Sequence, residues 1–568
     1  SILELYWYLI LVKRDIINFL IFYIDTMKNE ISNILKLIES GNTVKALEEA
    51  KILNSQNKNN LDGIKLLAYT YIQLGNFQKV ISTLESGYKH KTDKQDFDYY
   101  NNIGYAFLKI EEYEKSIYNL ERAIELNKEE PGVFASMAEL YVKCRKFEKA
   151  RKFINNALSI LEKNTQNSYV RYANIYLLMS EINSALKEDS KSISMFNDIL
   201  NKNFNENIFF LLANIDPKSV KKIHINEAED KLKRNNINFE NKIDRFNYVV
   251  PIHFGLGMSY QSIDRKKSEE FFDLGNKEIF NNTRYNSHQY QERIVRTMEL
   301  YLEKYKDFKT DGKSHGAKNF FIVGTPRSGT TLVESIVSAN NQVISGGELV
   351  SARQIIEKNV LSKDQSLSGL SHQFISMYLR RTAFLRGSAD YIIDKMPENF
   401  LYLGIILKLL TKSKVIRIFR NPWDTAISLY KQRYVLNIPY SVSFFNIGVF
   451  LSNFEAINIF WNKIIDDKSN ILDIKYENLV SDKNKNQETI YKFLNITSKY
   501  DEERRSEFFS PTASIRQIRQ EIHKKSIDKM EFLHHKDEFL DALLMQRQYW
   551  ATKDIIPEND DFFGYKLK

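Results

Sequence analysis

The sequence contains a single cysteine, Cys144, among its 568 residues. One thiol cannot form an internal disulfide or a metal site built from several thiolates. Cys144 lies on the apolar face of a predicted helix, which favours a buried small side chain over a reactive thiol. The nine histidines show no His-Glu-x-x-His motif or other paired metal spacing. The neighbouring His534 and His535 are therefore interpreted as surface residues and not as a ligand pair.

Long uninterrupted apolar runs are also missing. Residues 2–12 and 16–24 are strongly apolar, but Lys13-Arg14-Asp15 separates them. Neither run reaches the roughly 20 residues that a membrane-spanning helix needs, and no small-residue cleavage site follows. Residues 1–27 are interpreted as sequence upstream of a start at Met27 or as a weak membrane-associating segment. The expected compartment is the cytoplasm.

Charge of one sign does not dominate the chain either. Lys and Arg number 81 and Asp and Glu 72, which gives a formal net charge of +9. The excess is spread along the chain, and no basic and aromatic run typical of nucleic-acid binding occurs, so we expect anionic ligands but no nucleic acid. Because single hydrophobic cores stop growing at roughly 250–300 residues, more than one domain is expected.

From Met27 onwards, predicted helices alternate with short turns. The elbows Gly41-Asn42-Thr43 and Gly75-Asn76-Phe77 lie 34 residues apart, and two further elbows at 111–113 and 145–147 share that spacing. Small residues recur where the paired helices would meet, namely Ala68, Gly104 and Ala138. This helix-turn-helix period resembles the tetratricopeptide repeat, whose stacked units expose a concave face that binds peptides or protein partners.

The repeats define the expected domain organisation. The repeat region is predicted at 28–202, with its clearest units at 61–94, 97–130 and 131–164. Residues 203–310 are interpreted as a connector with partial helix and one degenerate repeat around 253–272. Residues 309–318 are rich in glycine and polar residues, which predicts a domain boundary there.

After this boundary the pattern changes to alternating strands and helices. Strands are predicted at 320–323, 391–394, 414–420 and 470–476, separated by helices at 330–339, 399–410 and 423–434. Such an order predicts a parallel sheet covered by helices. The predicted fold class is an N-terminal α-solenoid followed by an α/β domain at 311–568.

The first of these strands runs into the loop Gly324–Thr331. Its glycines allow a ligand to approach the backbone, its amides open a helix, and Arg327 adds a cation, so an anion is the expected ligand. The loop lacks Gly-x-x-x-x-Gly-Lys-Ser/Thr, and no Walker-type aspartate follows a strand. These absences disfavour a magnesium-dependent nucleoside triphosphatase, and a P-loop kinase is kept as an alternative.

A second cationic element follows the strand at 414–420. Arg420 ends this strand, and Ser428 lies eight residues later on the next helix. A guanidinium and a hydroxyl so placed can face one phosphate. With the first loop, they predict two separate anion sites at one edge of the sheet.

These residues resemble known sulfotransferase motifs. Thr325–Leu332 resembles the 5′-phosphosulfate loop of sulfotransferases, and Arg420 with Ser428 resembles their 3′-phosphate site. The combination resembles protein-tyrosine sulfotransferases and, most of all, bacterial sulfotransferases preceded by tetratricopeptide repeats. The resemblance implies a P-loop-like fold, 3′-phosphoadenosine 5′-phosphosulfate (PAPS) as donor, no metal and a hydroxyl acceptor. Protein tyrosine is the first acceptor hypothesis, and carbohydrates or small molecules are alternatives. A non-catalytic nucleotide-binding scaffold is a further alternative.

The resemblance also implies a set of site residues. Glu348, in Gly346-Gly347-Glu348, matches the catalytic base, and Lys395 matches a lysine that faces the transferring sulfuryl group, a task that Arg327 would share. The implied donor-binding residues are Arg327, Ser328, Gly329, Thr330, Thr331, Arg420, Ser428, Tyr476, Ser514, Gln517 and Lys529. The sequence departs from the family pattern at Glu521 and Met530, where proline and tryptophan are usual.

Overall fold

The computed structural model divides the chain into two compact units, one reaching Asp264 and the other beginning at Arg265. The structure describes residues 28–39, 42–56, 61–89, 96–163, 173–233, 242–283, 285–308, 315–360, 367–434, 438–497, 500–510, 527, 529–559 and 561–567. The sequence analysis placed a boundary at 309–318, whereas the described residues from Arg265 to 308 pack within the second unit. Residues 1–27 lie outside the described ranges.

The described part of the first unit is helical. Its helices are α1 (Lys28–Glu39), α2 (Thr43–Gln56), α3 (Leu61–Gln73), α4 (Phe77–Gly87), α5 (Phe97–Lys109), α6 (Tyr113–Leu126), α7 (Pro131–Lys143), α8 (Phe147–Lys163), α9 (Ala173–Ala185), α10 (Asp189–Lys202), α11 (Glu206–Ile215), α12 (Lys222–Lys233) and α13 (Lys242–Tyr260). The pairs α3 with α4, α5 with α6, and α7 with α8 fall within the three predicted units. None of the helices in the described ranges of the chain is long and apolar enough to cross a membrane.

Each described elbow uses the same backbone conformation. A left-handed residue ends the first helix at Gly75, Glu111, Arg145 and Lys187, with φ between 58° and 68°. The next amide then donates to the carbonyl five residues earlier, as Asn76 does to Tyr71 at 2.9 Å. This bond is that of a Schellman cap, which reverses the chain without leaving carbonyls unpaired. The elbow at Lys187 has neither glycine nor an aromatic residue, so the sequence pattern did not reveal it.

The connector is more helical than the sequence indicated. Helices α11, α12 and α13 occupy most of 206–260, although the high Asn and Lys content suggested only partial helix. Asn205 caps α11 by accepting from the amides of Asn207 and Ile208, each at 3.0 Å. The apolar face that follows is buried, with Ile208 and Leu212 fully enclosed. A local cap and a short apolar run therefore outweighed the average composition.

The single thiol is half-buried at the end of α7. Burial raises the pKa of Cys144 to about 12, so little thiolate exists near neutral pH. This agrees with the expectation of an unreactive thiol.

The second unit contains the α/β domain that the sequence predicted. Among its described residues, parallel strands form a five-stranded sheet in the order β2-β3-β1-β4-β5. The strands are β1 (Asn319–Gly324), β2 (Val343–Ser345), β3 (Tyr391–Asp394), β4 (Lys414–Phe419) and β5 (Ile471–Lys475), with a separate hairpin of β6 (Asp561–Phe562) and β7 (Tyr565–Lys566). The strand β2 was not predicted, because three residues are too few to show an alternating pattern.

Helices surround the sheet. They are α14 (Arg265–Asn282), α15 (Ser287–Leu300), α16 (Thr330–Ser338), α17 (Ser351–Val360), α18 (Leu367–Arg386), α19 (Leu403–Leu409), α20 (Pro422–Tyr430), α21 (Phe444–Ile464), α22 (Tyr476–Ser481), α23 (Lys483–Leu494), α24 (Glu502–Glu507) and α25 (Lys536–Ala551). The central strand β1 is buried along its whole length. Helices α16 and α23 pack in the same hydrophobic core as β1. The predicted helix at 399–410 begins as the 3₁₀ turn Pro397–Tyr402 before α19.

We expect Gly104→Ala to destabilise the protein relative to Gly63→Ala. Both glycines are helical and buried, so both substitutions gain the same helix propensity. A Cβ at Gly104 would lie 2.9 Å from the Leu120 side chain and 3.1 Å from its backbone nitrogen, whereas at Gly63 the nearest atom is 3.8 Å away. The difference in free energy of unfolding should be about 1–3 kcal/mol, the usual cost of overpacking. Urea unfolding followed by circular dichroism measures it, and equal stabilities would contradict the close helix contact.

Candidate active site

The predicted site residues follow the carboxyl ends of the parallel strands. Glu348 lies three residues after β2, Lys395 directly after β3, the loop 325–329 after β1, Arg420 after β4 and Tyr476 after β5. Because the strands within this described sheet are parallel, these positions share one edge, where ligands bind in open α/β sheets.

This edge has a step in it. Phe321 of β1 pairs with Asp394, the last residue of β3, so β1 runs three residues further, which is about 10 Å. The strand β2 ends beside Ile393 and is equally short. The loop after β1 therefore starts further along the strand direction than Lys395 does.

The loop after β1 has an unusual backbone. Arg327 and Gly329 adopt positive φ values of 69° and 105°, and the Ser328 hydroxyl donates to the Thr325 carbonyl at 2.7 Å. A Cβ at position 329 would lie 2.5 Å from the Tyr476 ring. Only glycine fits there. Helix α16 begins at the next residue, and a helix N-terminus presents backbone amides of the kind that bind anions.

The loop after β1 joins the residues that follow β4. Arg327 Nε donates to Ser428 Oγ at 3.1 Å, and Arg420 Nη1 donates to the Arg327 carbonyl at 2.8 Å. The Arg420 guanidinium also lies 4.4 Å above the centre of the Tyr476 ring. The residues predicted to form two anion sites are therefore in contact, because β1 and β4 are neighbouring strands.

The Arg-Asn-Pro turn positions Arg420 and Ser428 through a helix cap. The Asn421 side chain accepts from the amides of Trp423 and Asp424, at 2.9 and 3.1 Å, and Pro422 occupies the first position of α20. The Asn421 amide in turn donates to Glu477 at 3.0 Å. The turn thus has a structural role and also directs α20, which carries Ser428.

Lys529 adds a further cation. Its backbone amide donates to Asp424 at 2.8 Å, and the charges of Arg420 and Lys431 oppose that of its half-buried side chain. Burial, followed by these two charges, lowers the pKa of Lys529 well below its usual value. Burial also lowers the pKa of Arg327. A site that disfavours its own cations is suited to a ligand with several negative charges.

Lys395 forms ion pairs at the part of this edge that follows β2 and β3. Lys395 Nζ is 2.5 Å from Glu348 Oε1 and 3.8 Å from Glu334 Oε2. The side chains of Lys395 and Glu334 are fully buried, whereas that of Glu348 is 44% exposed. Backbone also fixes the pair, since the Lys395 amide donates to the Gly347 carbonyl at 2.9 Å. Glu348 is therefore the carboxylate of this group that an external molecule can reach.

Glu334 was missed by the sequence analysis. It lies on α16, where Ser345 Oγ donates to its Oε1 atom, and Ser345 Oγ also accepts from the Gly347 amide at 3.0 Å. Glu334 thus connects α16, β2 and Lys395. A glutamate inside the apolar stretch 332–337, directly after the loop, was the feature that could have revealed it.

Tyr434 was missed as well. Burial raises its pKa to about 12, an effect that Arg327 partly offsets and Glu348 reinforces. The phenol is thus electrostatically coupled to residues from both parts of the site. Nothing in its local sequence marked it.

The remaining predicted residues divide into two groups. Ser328, Thr330 and Thr331 are buried at the start of α16. Ser514 and Gln517 lie outside the described residues, so their assignment stays a prediction.

Comparisons with known proteins identify the class of both regions. Residues 319–502 match the model of the sulfotransferase family, and residues 99–208 match that described as "Tetratricopeptide repeat protein 21 forth ARM domain". The chain thus carries a sulfotransferase family domain behind a tetratricopeptide-like repeat domain.

Individual relatives add little to this assignment. A protein of Aquifex aeolicus (strain VF5), described as uncharacterized, is 28% identical over 292 residues, which are 47% of this chain and 37% of that protein. The sulfotransferase STF1 from Mycobacterium tuberculosis H37Rv aligns with 50% of this chain and 93% of its own at 12% identity and a TM-score of 0.25. A structure of Naa15/Naa10 bound to HypK-THB aligns with 93% of this chain and 76% of that one at 11% identity and a TM-score of 0.21. Both TM-scores are too low for these alignments to bear on fold or activity.

We expect Lys529→Met to change how stability depends on pH. As pH falls through the usual lysine pKa of 10.5, the unfolded chain binds a proton that folded Lys529 resists, so stability declines. The free energy of unfolding of the wild type should therefore fall relative to that of Lys529→Met as pH drops from about 11 to about 8. Guanidinium unfolding across this range measures the difference. The exposed Lys485, replaced in the same way, is the control, and the same trend in both variants would contradict the assignment.

Proposed function

We propose that the second unit transfers a sulfuryl group from PAPS to an acceptor hydroxyl. The observation that carries this proposal is the common sheet edge, which holds both a cationic group, formed by Arg327, Arg420 and Lys529, and the pair of buried Lys395 with partly exposed Glu348. The cationic group suits a nucleotide with phosphates at two positions. The pair supplies a base and a cation, which are the groups that sulfuryl transfer requires.

The donor is proposed to lie across the loop after β1. The amides of Gly329 to Thr331 would hold the 5′-phosphosulfate, and Arg420, Ser428 and Lys529 the 3′-phosphate. Arg327 contacts Ser428, so it can serve both phosphates. The Tyr476 ring packs against Gly329 of the loop and against the Arg420 guanidinium. By resemblance, Ser514 and Gln517 would complete the site.

Glu348 is proposed to act as the general base. It accepts the proton of the acceptor hydroxyl, whose oxygen attacks sulfur as the bond from sulfur to the bridging oxygen breaks. Adenosine 3′,5′-bisphosphate leaves with the electron pair of that bond. Lys395 and Arg327 stabilise the negative charge that develops on its phosphate. As in phosphoryl transfer, positioning and charge stabilisation supply most of the acceleration.

Glu334 has a positioning role in this scheme. Lys395 pairs with Glu348, so this ion pair is lost when Glu348 accepts a proton. A buried ammonium left without a counterion is costly. Glu334, also buried and 3.8 Å from Lys395 Nζ, keeps the charge compensated and the lysine in place. We therefore assign Glu334 as the residue that holds Lys395 during transfer.

Protein tyrosine is the acceptor that we place first. A phenol, with a pKa near 10, is the most acidic of the candidate hydroxyls, so a carboxylate base removes its proton most easily. Glu348 is partly exposed, so a side chain of another protein can reach it. Carbohydrates and small hydroxyl compounds are the alternatives, and the repeats are proposed to bind a protein partner.

A non-catalytic scaffold is the competing function. It would need the cationic group for nucleotide binding but would have no use for Lys395 buried between two carboxylates. Because burying charges costs free energy, the retained arrangement favours an enzyme.

We expect the full-length protein to transfer labelled sulfate from PAPS to a tyrosine peptide. Glu348→Ala should lower kcat by about 10²–10⁴-fold, the usual contribution of a general base, and leave affinity for adenosine 3′,5′-bisphosphate largely unchanged. Glu488→Ala, which removes an exposed carboxylate, is the control. Tight nucleotide binding without turnover on any peptide, glycan or phenol would establish the scaffold instead.

We expect Glu334→Gln to lower kcat by about 10-fold to 100-fold, because the substitution keeps the shape and removes the charge that holds Lys395. The KM for PAPS should stay nearly constant, and Glu334→Asp should restore part of kcat. Steady-state kinetics with both substrates varied separates the two parameters. A purely structural role is indicated if unfolding shifts while kcat does not.

A further inference from the structure

A cluster of two histidines and an aspartate lies outside the candidate active site. His534 and His535 end the 3₁₀ turn Leu533–His535, directly before α25. They face Asp273 on α14, which lies 261 residues from His534 in sequence. One potential ligand atom from each residue falls within 4.8 Å of the others.

The spacing of these atoms matches a metal coordination shell. His534 Nε2 is 3.1 Å from Asp273 Oδ2, and His535 Nε2 is 3.2 Å from Asp273 Oδ1. In a tetrahedral zinc site with bonds of 2.0–2.1 Å, neighbouring ligand atoms are about 3.3 Å apart. All the ligand atoms lie within 4.8 Å of one another, so the three side chains could hold one ion once the more distant atoms move closer.

The surroundings of His535 and Asp273 also match a metal site. The Nδ1 atom of His535 is 3.2 Å from Glu538, and that of His534 is 3.8 Å from Glu269. The Tyr430 hydroxyl donates to Asp273 at 2.8 Å. Ligating histidines typically direct their second nitrogen to a carboxylate, which fixes the tautomer and orients the ring.

We propose that His534, His535 and Asp273 bind a divalent ion of the zinc class, with water completing its coordination. Two imidazole nitrogens and one carboxylate oxygen suit zinc, cobalt or nickel better than magnesium or calcium, which prefer oxygen ligands. The sequence could not indicate this site, because adjacent histidines lack ligand spacing and the third ligand lies on a distant helix.

The ion would act as a positioning element for the cationic group. It would tie the turn at 533–535 to α14 and, through Tyr430, to the end of α20. Just before this turn in the sequence, Glu531 forms an ion pair with Lys431 at 3.0 Å. The Lys529 amide donates a hydrogen bond to Asp424. Fixing residues 533–535 therefore limits the movement of the segment that brings Lys529 beside Arg420.

Zinc titration of the metal-stripped full-length protein tests the proposal. Calorimetry should give one equivalent bound, and cobalt should give an absorption spectrum of low coordination number. His534→Ala and Asp273→Asn should each weaken zinc binding by at least about 100-fold, and Glu538→Gln by about 10-fold to 100-fold. His288→Ala, which removes an exposed histidine on α15, should leave it unchanged.

Several outcomes would overturn the proposal. They are the absence of saturable zinc binding by the wild type, or equally tight binding by His534→Ala. His534 is 53% exposed, so its replacement should preserve the fold, which circular dichroism verifies. Zinc should also raise the Tm of the wild type but not that of His534→Ala. Because no nucleotide or acceptor is used, failure of this test leaves the proposed sulfuryl transfer unaffected.

Discussion

The parallel direction of the strands in the described sheet is the constraint on which the candidate site depends. Hydrogen bonding between parallel strands brings their carboxyl ends to one edge, so short loops from distant parts of the sequence meet there. The register then places the loop after β1 beside Arg420 on one side and above Lys395 on the other. One strand reversed or shifted would separate the proposed base from the cationic group.

Charge burial is the second organising feature. Lys395 and Glu334 are buried together, and Lys529 and Arg327 lie where burial disfavours their charged forms. Such an arrangement costs stability in the protein alone. The cost is reasonable at a site where an anion binds or a charge develops, because preorganised charges need no rearrangement during the reaction. The proposed zinc site would add a covalent-like constraint near the most crowded of these cations.

Much of this architecture could be predicted from local sequence. The repeat elbows, the strand β1, the helix α16 and the Arg-Asn-Pro turn all carry periodic, capping or glycine patterns that act within a few residues. What escaped prediction depends on neighbours far away in sequence. The strand β2 is too short to show a sequence pattern. The proposed roles of Glu334 and His534 depend on contacts with Lys395 and Asp273, which lie far away in the sequence. The helices of 206–260 were underestimated because composition was averaged over a segment that folds through one cap and one apolar run.

The sequence by itself determined the helical repeats and the alternation of strands and helices, because each follows from local backbone preference and side-chain chemistry. Tertiary structure decided how these parts combine. It brought Arg327 into contact with Arg420 and Ser428. It also placed Lys395 between two carboxylates, of which only Glu348 is accessible. The physical reason is that burial and electrostatic coupling depend on distances through space, which residues far apart in sequence acquire only when the sheet and its helices pack.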